Sequence, residues 1–271
     1  MFNHNRPLRP LLLTSLAIAG MAVSGLQAAE KPRSQQVLEC MHANLPTSVV
    51  ADRMQLTHTD ALGTQRQFEL QVYAQRDEGR FDVSTIIKAP ARLADGAYLM
   101  RATSENHLVY MYVPSLTQVR RLTGDSVRQS KLLGTDISWE DLQMMYTALL
   151  EGTLSVKGEA EYKGRKVDQL ILIPSPKSES AYSRIYLDVD KQTCLPLEVR
   201  LTGEGDELLK KLSVDIGTLK QVNNQYWYAS KIKLEDLSEG TLTHVEAVRH
   251  LEADVKISSQ AFNPKRFYEV R

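Results

Sequence analysis

The 271-residue sequence predicts a mainly β fold of the α+β type: one strongly curved antiparallel sheet, an incomplete barrel, with helices covering its concave face. Three observations predict it. Apolar and polar residues alternate with period two in many short segments joined by tight turns, which makes sequential strands antiparallel neighbours. Only two later segments carry helical periodicity, too few to cover both faces of a large sheet. About ten to twelve strands in succession must curl or close.

Arg6 and Arg9 precede an apolar stretch from Leu11 to Leu26, and Leu26-Gln27-Ala28 has the form of a leader-cleavage site. The expectation is a cleaved signal peptide over residues 1–28 and a single exported domain over residues 29–271. The stretch holds roughly 16 apolar or small residues against the about 20 that span a bilayer, which leaves an uncleaved anchor as the other reading. Cys40 lies well beyond the cleavage point, which argues against a lipid anchor there.

Val37, Leu38, Met41 and Leu45 then recur at helical spacing, with Ser34 as a cap and Pro46 as a stop. Phe68, Leu70, Val72 and Ala74 alternate with Gln67, Glu69, Gln71 and Tyr73, and Phe81, Val83 and Thr85 continue the pattern after a Glu78-Gly79 turn. The run Leu108–Val113 is apolar on both faces, so it is covered twice or faces a cavity. Ser138 and Asp141 read as a capping box for a second helix whose Leu142, Met145, Tyr146 and Leu149 share a face until Gly152. Strands resume at Val167–Ile173, Ile185–Val189 and Leu195–Leu201. Asn223-Asn224 turns Leu212–Leu219 into Trp227–Leu234, and a last strand runs over Thr241–Ile257. No linker or repeat divides residues 29–271.

Lys plus Arg and Asp plus Glu are both 33, so the formal net charge is zero. Removing Arg6 and Arg9 leaves 31 basic against 33 acidic residues, a charge of −2. Duplex nucleic-acid binders draw most of their affinity from phosphate neutralisation, so nucleic acid is excluded as a partner. A hydrophobic content of 42% with 24% charged residues excludes a disordered chain and a polytopic membrane protein. Cys40 and Cys194 are either a structural disulfide or two buried thiols; against pairing, Cys194 has the opposite parity to Leu195, Leu197 and Val199.

Catalytic signatures are missing. Gly124-Asp125-Ser126 has the form of an esterase nucleophile block, but no Asp-x-x-His follows to supply a base. His244, Glu246 and His250 share strand parity, yet the two histidines stand about 20 Å apart along a strand, too far for one ion. Asp188-Val189-Asp190 starts like a calcium loop and lacks its glycine, so it reads as a turn. No catalysis, metal or cofactor is expected. The basic cluster Arg120, Arg121, Arg128 and Lys131 is either a solvated loop or a contact for an anionic head group or an acidic partner. The remaining apolar surface, with Met100, Met111, Met144 and Met145, fits a packed core or a cavity with adaptable lining.

One stretch is more distinctive than any catalytic motif. Tyr112-Val113-Pro114-Ser115-Leu116-Thr117-Gln118-Val119-Arg120-Arg121-Leu122 is followed by Leu133-Gly134-Thr135-Asp136-Ile137-Ser138-Trp139-Glu140-Asp141-Leu142, and Tyr226-Trp227-Tyr228 precedes Lys231-Ile232. These segments resemble the LolA-like family of outer-membrane lipoprotein-sorting proteins. The resemblance implies an incomplete barrel with a helical lid that holds lipid or lipoprotein acyl chains, without catalysis or cofactor. An inner-membrane transporter or outer-membrane acceptor is the implied partner. The expected lining is Leu108, Tyr110 and Tyr112 from the strand and Leu142, Met145 and Leu149 from the helix, with Arg120 and Arg121 at a head group or partner. A periplasmic sensor or adaptor for a membrane protein, and a secreted hydrolase, are the competing expectations.

Overall fold

Helix α1 (Arg33–Ala43) precedes β1 (Ser48–Thr59), β2 (Gln65–Asp77), β3 (Arg80–Ala89), β4 (Ala97–Thr103), β5 (His107–Val113) and β6 (Gln118–Leu122). Helix α2 (Trp139–Thr147) separates these from β7 (Gly152–Tyr162), β8 (Arg165–Pro174), β9 (Arg184–Asp190), β10 (Pro196–Thr202) and β11 (Leu208–Val214). The short strands β12 (Leu219–Val222) and β13 (Tyr226–Ala229) precede β14 (Lys231–Asp236), β15 (Thr241–Ala247) and β16 (Leu251–Ala253). These elements belong to a computed structural model that describes residues 1, 31–77, 79–103, 107–123, 127–147, 151–248 and 251–270. The leader expected over residues 1–28 lies outside them from residue 2 onward, as do the block Gly124-Asp125-Ser126, Leu149 and His250. Pro32–Arg271 is one compact unit.

Its large sheet is antiparallel throughout and runs β6-β5-β4-β3-β2-β1-β15-β14-β11-β10-β9-β8-β7, with β16 beside the start of β1. The barrel is open: β6 and β7 are its two edges and are not paired with each other among the described residues. Strand β1 joins the halves. It pairs with β2 along its length and divides its other edge between β16 (Val49↔Ala253) and β15 (Met54↔Ala247). The register against β2 shifts between Ala51 and Met54, and such a bulge bends the strand.

Side-chain parity sorts the two faces. Leu70, Val72, Val83, Met100 and Val109 point to the inner face, where Leu132, Ile137 and Trp139 pack on them. Tyr73, Ile86, Leu99, Tyr110 and Tyr112 point outward, where the C-terminal Phe262 and Phe267 cover them. Tyr112 stacks on Tyr268 with ring centroids 3.6 Å apart. Burying each such aromatic contributes roughly 1.5–3 kcal/mol, so a short tail of two 3-10 turns, Ser259–Phe262 and Phe267–Glu269, holds its place.

Three local readings need correction. Ser34 lies inside α1, whose N-cap is Pro32 without a side-chain bond. The Asn223-Asn224 turn forms, both residues having positive φ (54° and 53°), but it joins only β12 to β13 in a separate two-stranded sheet. Asp215 accepts the Gly217 amide at 3.0 Å in a turn that breaks the longer strand, and β11 pairs with β14 directly. The last strand is likewise two, β15 and β16.

Candidate functional site

A cavity of ≈ 330 Å³ lies between the inner face of the sheet and the two helices. Met41 and Leu45 reach it from α1 and the turn after it, Leu142, Met144 and Met145 from α2, and Leu56, Val72, Val199, Leu212 and Val245 from the strands. Protein interiors otherwise pack with few voids larger than a water molecule. A space of this size lies at the lower end of pockets that bury small ligands, and its methionines adapt to a flexible chain.

Helix α1 is pinned along its length. The Arg33 guanidinium donates to both Asp168 oxygens on β8, at 3.2 and 2.6 Å. Cys40 is bonded to Cys194, with Cα atoms 5.7 Å apart. Cys194 sits in the turn between β9 and β10 at φ 59°, a left-handed conformation, so strand parity does not govern where its sulfur points. Past the helix end, Asn44 Nδ2 donates to the Trp227 carbonyl at 3.1 Å and Asn44 Oδ1 accepts the Trp227 amide at 2.6 Å.

Helix α2 is held by the run Thr135–Asp141, every residue of which is buried. The capping box forms: Asp141 Oδ2 accepts the Ser138 amide at 2.9 Å and Ser138 Oγ accepts the Asp141 amide at 3.1 Å. Each acid of the run then reaches a different part of the chain. Asp136 accepts the Thr243 hydroxyl at 2.6 Å and the Thr241 hydroxyl, both from β15, and lies 3.3 Å from His58 Nδ1 on β1. Glu140 accepts the Ser180 hydroxyl at 2.5 Å and the Ala181 amide at 3.1 Å. Burial pushes the Glu140 carboxyl above its ordinary range, against those bonds. Asp141 also accepts the Tyr182 hydroxyl at 2.6 Å and the Lys210 ammonium at 2.8 Å. Burial and the adjoining Asp141 raise Tyr182, so the phenol keeps its proton. The run thus ties the connection between the two sheet edges to β1, β15, β11 and the segment before β9. Sequence inspection marks this run as distinctive but not as a set of buried anchors; a triad of acids beside Trp139 is the signal that was available.

Asp136, Asp236 and Glu239 converge closely enough to suggest a metal site. Their centre holds the Lys131 ammonium, 3.0 Å from Asp236 and 2.6 Å from Glu239. Burial works against that charge, yet the two carboxylates hold the Lys131 pKa above its ordinary value. The place a metal ion would take is thus filled by an ammonium. His58, Asp136 and Thr243 also meet, but none of them lines the cavity, so they present no base or nucleophile to its contents. His244 and Glu246 take the parity opposite to Thr243 and Val245, away from the inner face. Asp190 receives the Arg165 fork at 2.9 and 2.7 Å, which makes Asp188–Asp190 a strand end and turn.

Leu142 and Met145 line the cavity, and Leu149 lies outside the described residues. Leu108, Tyr110 and Tyr112 do not line it. They have the parity opposite to Val109, and the tyrosines pack beneath the C-terminal tail. Arg120 and Arg121 are exposed on edge strand β6 and project to opposite faces, because Arg121 pairs with Tyr110 and Arg120 with Met111.

An open antiparallel sheet folded around an apolar cavity, with two helices across it, is the LolA-like fold. The chain belongs to the family whose model, described as "Uncharacterized protein", matches residues 81–268. An outer membrane lipoprotein-sorting protein domain from Vibrio parahaemolyticus is similar in structure at a TM-score of 0.75 and 21% identity, covering 86% of this chain and 100% of that one. A DUF1329 family protein from Desulfovibrio piger gives 0.75 and 20%, covering 86% and 98%. A LolA superfamily protein from Nitrosomonas europaea gives 0.64 and 15%, covering 85% and 97%. No curated protein matches the sequence.

Proposed function

We propose that this chain is a periplasmic carrier that holds the acyl chains of a lipid or lipoprotein in the cavity between its sheet and helices. The observation that carries the reading is the cavity itself, lined mostly by apolar side chains and placed behind both helices. The fold likeness to a lipoprotein-sorting domain supports it. Each buried methylene contributes about 0.8 kcal/mol, so part of one long chain reaches the about −8 kcal/mol of micromolar affinity after ordering costs. The carrier works without catalysis or cofactor. It is exported by a signal peptide over residues 1–28 and exchanges cargo with a membrane-bound donor or acceptor. Exposed Arg120 and Arg121, flanking the open β6 edge on both faces, suit an acidic segment of that partner. Titration with a fluorescent long-chain fatty acid tests the reading: saturable micromolar binding supports it, and no binding overturns it.

A further inference from the structure

We propose that the bound lipid carries an anionic head group and that Arg76 receives it, an inference that rests on the acyl-binding reading above. Among the described residues, two charged side chains line the cavity, Arg76 and Asp141. Asp141 is fully engaged by the Ser138 amide, the Tyr182 hydroxyl and the Lys210 ammonium, which also cancels its charge. Arg76 has no such balance. It stands at the end of β2 with the inward parity of Val72 and Ala74 and is half-buried beside the turn that follows α1. Its Nη2 donates to the Leu45 carbonyl at 2.8 Å, a neutral acceptor, and among the described residues no carboxylate forms an ion pair with it.

Asp254, beyond the lining at this end, spends both oxygens on neutral donors and forms no ion pair with Arg76. Asp254 Oδ1 accepts the amide and hydroxyl of Thr47, both at 2.8 Å, and Oδ2 accepts the Tyr226 hydroxyl at 2.5 Å. The surrounding rim is polar or amphipathic, formed by Asn44, Thr47, Ser48, Trp227 and Tyr228. Leu142, Met144 and Met145 of α2 form an apolar part of the wall. A guanidinium presents five N–H donors in a planar fork that fits a carboxylate or phosphate, and one drawn partly out of water without an ion-pair partner is primed for that contact. Apolar walls with one cation at the rim that forms no ion pair among the described residues define the ligand as an amphiphile whose chain enters the cavity and whose carboxylate or phosphate stays at Arg76.

The test compares three probes of equal chain length: a fatty acid, its alcohol and a lysophospholipid with a terminal phosphate. Wild-type protein should bind at least one anionic probe about ten-fold more tightly than the alcohol, and the preference should shrink as salt rises. Preference for the acid alone identifies a free fatty acid, and preference for the phosphate alone a phospholipid. Arg76→Gln should remove the preference while leaving alcohol binding and the melting temperature near wild type, and Arg76→Lys should keep most of it. Equal binding of all three probes, or a preference indifferent to salt and to Arg76→Gln, overturns the assignment and leaves acyl binding standing. Failure of every probe, the alcohol included, overturns both.

Discussion

Lys210 on β11 places its ammonium 2.8 Å from Asp141 Oδ2 on α2, and the same nitrogen donates to the Asp136 carbonyl at 2.9 Å. This buried pair links the helix over the cavity directly to strand β11. Breaking one side of a buried pair leaves an uncompensated charge and costs about 3–5 kcal/mol. Lys210→Met should therefore lower the stability read from urea unfolding by about that amount. Adding Asp141→Asn should recover part of it, because the orphan charge goes while the amide oxygen still accepts the Ser138 N–H and the amide nitrogen donates to the Tyr182 hydroxyl. Equal stability of Lys210→Met and wild type would mean that α2 is held by other contacts.

The disulfide between Cys40 and Cys194 joins residues 154 apart in sequence. In the chain-entropy account, closing so long a loop restricts the unfolded chain by on the order of 5 kcal/mol, and native bridges typically contribute about 2–5 kcal/mol. Cys40→Ser with Cys194→Ser should lower the urea midpoint by a matching amount. Reductant should move the wild type towards the double variant and leave the variant unchanged. A wild type indifferent to reductant would contradict the bridge.

His107, at the start of β5, is held neutral: burial, then the nearby Arg128 guanidinium, lower its pKa from 6.5 to about 4. The unfolded chain takes up a proton near pH 6.5 that the folded chain refuses until about pH 4. Stability is thus complete above the unfolded value and lost as pH falls through this window. After allowance for partial solvent exposure, the loss is about 1–2 kcal/mol. His107→Asn should flatten the stability profile between pH 6.5 and 4, checked by urea unfolding at four or five pH values. An unchanged slope would show that other groups set it.

Met145 and Val109 separate an open cavity from a filled core. Val109 is 0% exposed and packed on the inner face, so Val109→Asp buries an unpaired carboxylate and should abolish folding. Met145 lines the cavity, where a carboxylate meets open space. Met145→Asp should cost about 1 kcal/mol or less in stability while weakening acyl-probe binding at least ten-fold, an energy of about 1.4 kcal/mol. Melting and titration on the same samples decide this, and parallel unfolding of both variants would mean that the region around Met145 is packed solid.

Local signals carried much of the architecture. Alternation marks β2 and β10, whose inward residues Leu70, Val72, Leu197, Val199 and Leu201 are all buried. The Ser138–Asp141 box marks α2 because its two bonds close within one helical turn. What remained hidden depends on distant chain. Leu108, Tyr110 and Tyr112 read as cavity lining because nothing local shows that Phe262, Phe267 and Tyr268 return to cover that face. Cys194 reads as a strand residue because its left-handed φ depends on the turn around Asp190. Arg76 carries no motif at all; its place at the cavity rim follows from the end of β2 meeting the turn after α1.

The central claim, that the cavity is occupied by an acyl chain, is tested most directly by native mass spectrometry of the protein purified from a periplasmic extract without detergent. The account predicts a population heavier than the bare chain by the mass of a lipid, which collisional activation releases and Met145→Asp greatly reduces. A spectrum of bare protein alone, from a sample that also takes up no acyl probe in titration, would contradict it.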